Sequence, residues 1–155
     1  EFKNSSFVEQ KIFINNIDVT EKIRSPEITS MVSKIAKQQY VRDLLTKQQQ
    51  VIGEDGGLVA EGRDIGTVVF PNAEHKFFLT ADYDVRAERR SKDFNKVDEN
   101  LQIDDIKKDL IERDEIDSNR TLSPLKRAED AIVIDTSNCT IDEQVDKIYN
   151  YIKKV

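Results

Sequence analysis

Short apolar runs along the chain predict β-strands. The runs "LVA", "KFFLTA" and "AIVID" occupy residues 58–60, 76–81 and 131–135, and the apolar "TVVFP" covers 67–71. Such unbroken apolar character is typical of strands that are covered on both faces. Near the start, "FVEQKIFINNIDVTEKI" predicts two short strands at 7–8 and 12–14, with a turn at Asn15 and Asn16.

Helical spacing separates these strands. A Ser25-Pro26 start signal precedes apolar residues at helical spacing between 28 and 35, and a second helix is predicted to stop before Gly53. Further helices are predicted at 84–92 and 103–117, and Thr140 with Glu143 forms a capping box for a last helix. Strands that alternate with helices predict an α/β fold with a parallel sheet.

Composition limits the function classes. A chain of 155 residues predicts one domain, and its net charge of -6 gives no overall attraction for nucleic acid or for a membrane surface. There is one cysteine, no signal-peptide pattern and no apolar run near the roughly 18 residues of a membrane span. We therefore expect a cytoplasmic protein with no membrane or nucleic-acid partner, in which a local basic cluster binds any anionic ligand. No spacing of Cys, His or Asp predicts a metal site.

The first candidate site follows "LVA". Glu61, Arg63 and Asp64 come directly after that run and are expected at the carboxyl edge of the sheet, where ligands bind in α/β folds. Gly62 and Gly66 would let the backbone turn sharply and approach a ligand. Arg63 can bind a phosphate and Asp64 can accept hydrogen bonds. The alternative is a solvated loop with a local ion pair.

The second candidate site lies in "ERDEIDSNR". The apolar face made by residues 103, 106 and 110 continues, at the same spacing, into Arg113, Asp117 and Arg120. Because Arg and Asp are rarely buried without partners, this pattern favours a cleft that holds an anion. The alternative is an exposed Arg113–Asp117 pair at the end of the helix. A third basic group, Arg86, Arg89 and Arg90, lies in "VRAERR", where solvation of at least one arginine is expected.

These motifs in series resemble bacterial cytidylate kinase. The blocks "GLVAEGRDIGTVVFPNAEHKFFLTAD" and "IKKDLIERDEIDSNRTLSPLKRAEDAIVIDTS" are similar to its carboxyl-terminal two-thirds, and "IDVTEKIRSPEITSMVSKIAKQQYVRDLL" resembles its monophosphate-binding insert with the helices after it. The resemblance implies a P-loop nucleoside monophosphate kinase fold and phosphoryl transfer from ATP to CMP or dCMP. It implies ATP as co-substrate, Mg²⁺, and a monomeric complete enzyme.

The resemblance also implies roles for seven residues. It places the cytosine base against Ser33, Arg42 and Asp64, and the acceptor phosphate against Arg63. It assigns the ribose to Asp117 and the phosphates near the point of transfer to Arg113 and Arg120. Arginines suit such a reaction, because phosphoryl transfer depends on alignment and on positive charge against the moving oxygens.

One family motif is missing from the sequence. None of the five glycines is followed by Lys, so the chain has no G-x-x-x-x-G-K-[ST] loop to hold ATP phosphates and magnesium. We therefore expect one N-terminally incomplete domain that lacks the P-loop segment, and that is inactive alone. Residues 1–50 would be the CMP-binding insert, a small β unit with following helices, and 51–155 the rest of the α/β core. The ATP-binding residues and the protein ligand of Mg²⁺ would lie outside the chain.

Two other functions remain open at this stage. The chain could be a truncated, non-catalytic remnant or a nucleotide-binding interaction module that keeps a phosphate-binding cleft. It could also belong to a kinase for another monophosphate, such as UMP or AMP.

Overall fold

The computed structural model describes residues 11–94 and 102–153. It divides into two compact units, of which the first extends to Asp43 and the second begins at Leu44. The boundary falls within a helix, and each unit is described here by itself. The sequence-based assignment of one domain with a division near residue 50 stays a prediction.

A β-hairpin opens the first unit. Strands β1 (Phe13–Ile14) and β2 (Ile17–Asp18) pair antiparallel, with Ile14 opposite Ile17. Asn15 and Asn16 have φ values of 50° and 65°, as a two-residue turn with a left-handed backbone at both positions requires. The predicted turn is confirmed, whereas the second strand follows it at 17–18, and the strand predicted at 7–8 lies outside the described residues.

Two helices follow the hairpin. A short 3-10 turn at Lys22–Arg24 leads into α1 (Pro26–Ile35), and α2 spans Gln39–Ile52. The Ser25 hydroxyl accepts a hydrogen bond from the backbone N–H of Ile28 at 3.3 Å, which confirms the predicted start of α1.

The second unit contains the parallel sheet that the sequence predicts. Its elements are β3 (Phe77–Thr80), α3 (Tyr83–Phe94), α4 (Ile103–Asn119), β4 (Ile132–Asp135) and α5 (Ile141–Ile152). β3 and β4 pair in parallel with Phe77 opposite Ile132, and α5 begins with the predicted capping box of Thr140 and Glu143. Two of the three predicted core strands, and the helices around them, are therefore confirmed.

The prediction of a strand at 58–60 is wrong. Residues 58–60 have no regular structure, and the Val59 side chain is 98% exposed. A strand needs a neighbour for its backbone hydrogen bonds, and within the described residues β3 and β4 pair with each other alone. Residues Ile65–Val69 form a π-helical turn instead, in which the N–H of Phe70 donates to the carbonyl of Ile65 at 2.7 Å.

A small apolar core joins α3 to α4. Ala87 on α3 packs with Ile106 and Leu110 on α4, and Tyr83 covers their edge. The small side chain of Ala87 is fully buried, so the two helices approach closely at this point. The core packs the amino-terminal half of α4 against α3. None of the helices in the described segments is long and apolar enough to cross a membrane.

Candidate functional site: an arginine cluster on a buried aspartate

Three arginines from two parts of the second unit converge on Asp117. The Nε of Arg63 donates to Oδ2 of Asp117, and Nη1 of Arg120 lies 3.5 Å from Oδ1. The Nε of Arg113 is 4.0 Å from Oδ2. The Asp117 residue is only 3% exposed, so these contacts replace its hydration. We call Arg63, Arg113 and Arg120 around Asp117 the arginine cluster.

Helix α4 and the loop after it hold two of these arginines. Arg113 and Asp117 are four residues apart on α4 and follow the buried Leu110 on the same face. Arg120 is the C-terminal cap residue, and its Nε donates to the carbonyl of Ser123. The loop turns back over the helix end, where the N–H of Leu125 donates to the Asp117 carbonyl at 2.8 Å. Burial of Asp117 rules out the alternative of an exposed ion pair.

The loop after residues 58–60 supplies the third arginine. Arg63 precedes Asp64, which is 5% exposed and serves as the N-terminal cap residue of the π-helical turn. The Asp64 carbonyl accepts the N–H of Val68 at 2.9 Å, which fixes the backbone beside Arg63. Gly62 is needed here because a Cβ at that position would lie 2.8 Å from Cγ1 of Ile65. The chain bends at residues 62–64, as expected at Gly62, although the glycines with a left-handed backbone are Gly56 and Gly57.

A second carboxylate extends the cluster towards α3. Asp114 lies one turn before Asp117 on α4, and both Nη atoms of Arg86 donate to it. The Nη2 of Arg63 is 3.6 Å from Oδ1 of the same carboxylate. The Arg86 guanidinium also lies over the ring of Tyr83, with its carbon 5.1 Å from the ring centroid. Asp114 is not among the residues predicted for the site, because its partner Arg86 lies 28 residues away in the chain.

Burial and charge shift the pKa of two groups in the site. Burial alone would raise the pKa of Asp114, but the hydrogen bond and charge of Arg86, together with the charge of Arg63, hold it below its usual value. The pKa of Arg113 is lowered by burial first and then by the positive charge of Arg63. Its Nε is also buried without a hydrogen bond. Arg113 is thus a partly desolvated cation that an anionic ligand would stabilise.

The remaining predicted residues have different outcomes. Ser33 lies in α1 and Arg42 in α2, both in the first unit, and the side chain of Ser33 is outside the described parts. Their role at the cytosine base stays a prediction. Arg89 instead supports the fold, because its guanidinium donates to the hydroxyl and carbonyl of Thr136 and to the carbonyl of Cys139 at the end of β4.

The described residues do not fit a magnesium site. Across 11–94 and 102–153, no three side chains of His, Cys, Asp or Glu converge in a way that could hold a metal ion. The two site carboxylates, Asp114 and Asp117, are occupied by arginines. A magnesium ion that accompanies ATP would be held by groups other than these two carboxylates.

Comparisons with known proteins agree with the arrangement of these motifs. The family model for cytidylate kinase matches residues 2–154. A bifunctional pantoate ligase/cytidylate kinase from Prochlorococcus marinus strain NATL2A is 59% identical over 154 residues, which cover 99% of this chain and 30% of that protein. The cytidylate kinase of Clostridium botulinum strain Okra is 50% identical over 151 residues, covering 97% of this chain and 70% of that protein.

The fold and the site define an α/β protein whose arginines gather on a buried carboxylate, and the comparisons place it among the nucleoside monophosphate kinases. Within that class, the chain belongs to the cytidylate kinase family. It spans 30% of the length of the bifunctional relatives and 70% of the length of the Clostridium enzyme.

Proposed function

We propose that the natural protein containing this chain transfers a phosphoryl group from ATP to CMP or dCMP, and that this chain supplies the acceptor site and the catalytic arginines. The printed names of its relatives support the reaction. In the class, a P-loop nucleoside monophosphate kinase fold carries this chemistry, and the parallel β3–β4 pair with its helices is consistent with that fold. ATP is the donor, and Mg²⁺ accompanies it.

The observation that carries the proposal is the charge of the site. The three arginines of the arginine cluster surround the single carboxylate of Asp117, while Arg86 and Asp114 neutralise each other, so two positive charges remain in excess. Phosphoryl transfer needs such charge against the equatorial oxygens of the moving group, and it needs little covalent chemistry from the protein. A partly desolvated site strengthens each of these interactions.

Individual roles follow the chemistry of each side chain. Arg63, a third exposed, would bind the acceptor phosphate, and the buried Asp64 would accept a hydrogen bond from the cytosine. The family resemblance assigns Ser33 and Arg42 to the same base. Asp117 would bind the ribose. Because Asp117 contacts the whole arginine cluster, it would also fix the arginines relative to the sugar.

Substitution of Arg113 tests the catalytic assignment. Arg113→Ala should lower kcat by roughly 10³-fold, because one arginine at a transferring phosphate has effects of this order. Its unfolding midpoint should change little, since Arg113 is partly exposed and its Nε has no hydrogen bond to lose. Turnover is measured with a coupled ATP and CMP assay on the natural protein.

Lys108→Ala is the matched control for Arg113→Ala. Lys108 is another cation of α4, but it is exposed and pairs only at the surface with Asp105, at 3.7 Å. This variant should keep its turnover within about twofold. A loss of kcat in Arg113→Ala no larger than in Lys108→Ala would contradict the assignment of Arg113 to the reacting phosphates.

A second candidate function is nucleotide binding without transfer. The specific observation in its favour is that no glycine in these 155 residues precedes a lysine, so the phosphate-binding loop motif is absent from them. Titrating the chain with CMP and then with ATP separates the two functions. Formation of CDP by the chain or by the natural protein supports the kinase. Binding of CMP by the chain, with no CDP formed by the natural protein, supports the binding module.

Specificity for the base can be tested on the same protein. If Asp64 recognises cytosine as proposed, turnover of CMP should exceed that of UMP and AMP, because a site that hydrogen-bonds one base leaves polar groups unpaired with another. A preference for UMP or AMP would contradict the assignment of the base site and would favour a different monophosphate kinase.

A further inference from the structure

We propose that Asp114 is a positioning residue, which orients Arg63 for the phosphate of the acceptor nucleotide. This inference rests on the proposed function of Arg63. Asp114 is not one of the predicted site residues. The evidence for its role is its position between Arg86 on α3 and Arg63 in the loop before the π-helical turn.

Two carboxylates of α4 fix the guanidinium of Arg63. Asp117 accepts from its Nε, and Asp114 lies 3.6 Å from its Nη2. The two acids are three residues apart on α4, so they project from the same face of a rigid element. Contact at two nitrogens sets both the position and the plane of a guanidinium, whereas contact at one nitrogen leaves rotation free.

The contacts of Asp114 also explain why it can act on Arg63. Arg86 donates to both oxygens of the Asp114 carboxylate and packs on Tyr83, whose ring belongs to the α3–α4 core. Asp114 itself lies on α4, which the α3–α4 core holds without any contribution from Arg63. Arg63 comes from an irregular loop with a π-helical turn after it, so it is the group that gains order from the contact.

A simpler role for Asp114 would be to join α3 to α4 through Arg86. Two variants separate the roles. Asp114→Asn removes the charge that faces both arginines, while Arg86→Met removes the connection to α3 and leaves Asp114 facing Arg63. Both variants lose the same ion pair between the helices, and only Asp114→Asn loses the contact with Arg63.

Ligand binding is the first measurement. The dissociation constants of CMP and of cytidine are measured by calorimetry on the natural protein and on both variants. Asp114→Asn should weaken CMP binding roughly 10-fold, because a misplaced phosphate-binding group loses much of its interaction. Cytidine, which has no phosphate, should bind unchanged, and Arg86→Met should change CMP binding less than about twofold. Equal losses in the two variants, or an equal loss for cytidine, would overturn the proposal.

The order of the Arg63 side chain is the second measurement, and it needs no ligand. Relaxation of the ¹⁵Nε nucleus of Arg63 should report a rigid side chain in the unsubstituted protein and in Arg86→Met, and a more mobile one in Asp114→Asn. Unchanged Arg63 relaxation in Asp114→Asn would overturn the proposal. Failure of the unsubstituted protein to bind CMP would instead contradict the proposed function, and relaxation would still decide whether Asp114 positions Arg63. If Asp114→Asn does not fold, Asp114→Glu replaces it in both measurements. This variant displaces the carboxylate by one methylene, and it should change CMP affinity and Arg63 relaxation in the same direction but by a smaller amount.

Discussion

In the second unit, charged side chains of the arginine cluster are buried, whereas several apolar side chains of the parallel sheet are exposed. Asp117 and Arg120 are almost completely buried. By contrast, Leu79 on β3 and Val133 on β4 are about half exposed, and the apolar stripe of α5, including Val145, is exposed as well. Burial in this second unit therefore follows the availability of partners rather than hydrophobicity alone.

Local contacts are sufficient to bury the charged residues of the arginine cluster. The buried carboxylate of Asp117 has three cationic partners within the described residues, so its burial needs no further element. An apolar side chain of a strand gains free energy only when another element covers it. In the described sheet this condition is met at Ile134, which is 5% exposed, and not at its neighbour Val133, which is 44% exposed.

Removing the central charge of the cluster should have the largest effect on stability. Asp117→Asn leaves three arginines facing each other without the carboxylate that they share, and Arg120 is too buried to regain hydration. We expect a loss of about 3–5 kcal/mol in the free energy of unfolding, the range found when one partner of a buried ion pair is removed. Urea unfolding followed by circular dichroism measures this loss.

Glu115→Gln is the matched control for Asp117→Asn. It makes the same change of charge on the same helix at an exposed position, and it should alter the free energy of unfolding by less than about 0.5 kcal/mol. If Asp117→Asn costs less than about 1 kcal/mol, as an exposed pair would, the description of Asp117 as a buried anchor is wrong.

Neighbouring residues of β4 provide a second test of the same comparison. Ile134→Ala should cost about 2–4 kcal/mol, because it creates a cavity in the core. Val133→Ala removes a smaller side chain from an exposed position and should cost less than about 1 kcal/mol. Both values come from urea unfolding curves. A loss for Val133→Ala equal to that for Ile134→Ala would mean that Val133 is covered in solution. The exposed apolar surface of the sheet would then no longer differ from the buried arginine cluster.

The sequence predicted most elements of the fold because their signals are local. Ser25 and the Thr140–Glu143 box define helix starts within four residues, and the apolar runs that became β3 and β4 pair with each other. The run at 58–60 has the same composition, yet it forms no strand, because strand formation depends on a neighbour that composition does not reveal. Apolar composition indicates that a segment can form a strand, and the presence of a pairing partner decides whether it does.

Part of the candidate site was also predictable from local signals in the sequence. Helical spacing from Leu110 leads to Asp117 and Arg113, and both belong to the cluster that the structure forms. The same spacing also allows Asp114, four residues after Leu110, so the helical pattern alone does not distinguish Asp114 from Arg113. The pairing of Asp114 with Arg86, 28 residues away, depends on the packing of α3 against α4 and has no local signal.

The pH dependence of stability gives the last and smallest test, and it concerns the edge of the arginine cluster at Asp114. Arg86 and Arg63 together hold the pKa of Asp114 below its ordinary value of 3.8 despite its burial. A carboxyl group with a lowered pKa in the folded state stabilises the fold above the unfolded-state pKa, and this stabilisation disappears as the pH falls through the folded-state pKa.

The unsubstituted protein should therefore be more stable than Asp114→Asn at pH 7, and the difference should shrink below about pH 4. Tyr83 on α3 also faces this carboxyl group, and Arg86 and Arg63 are the charges that act on it. Other carboxyl groups with lowered pKa values, such as Asp130 and Glu143, titrate in both proteins and cancel in the difference. A difference in unfolding free energy that stays constant from pH 7 to pH 3 would show that Asp114 stabilises the fold by its shape and hydrogen bonds, and the charge at this edge would then have no part in holding Arg63.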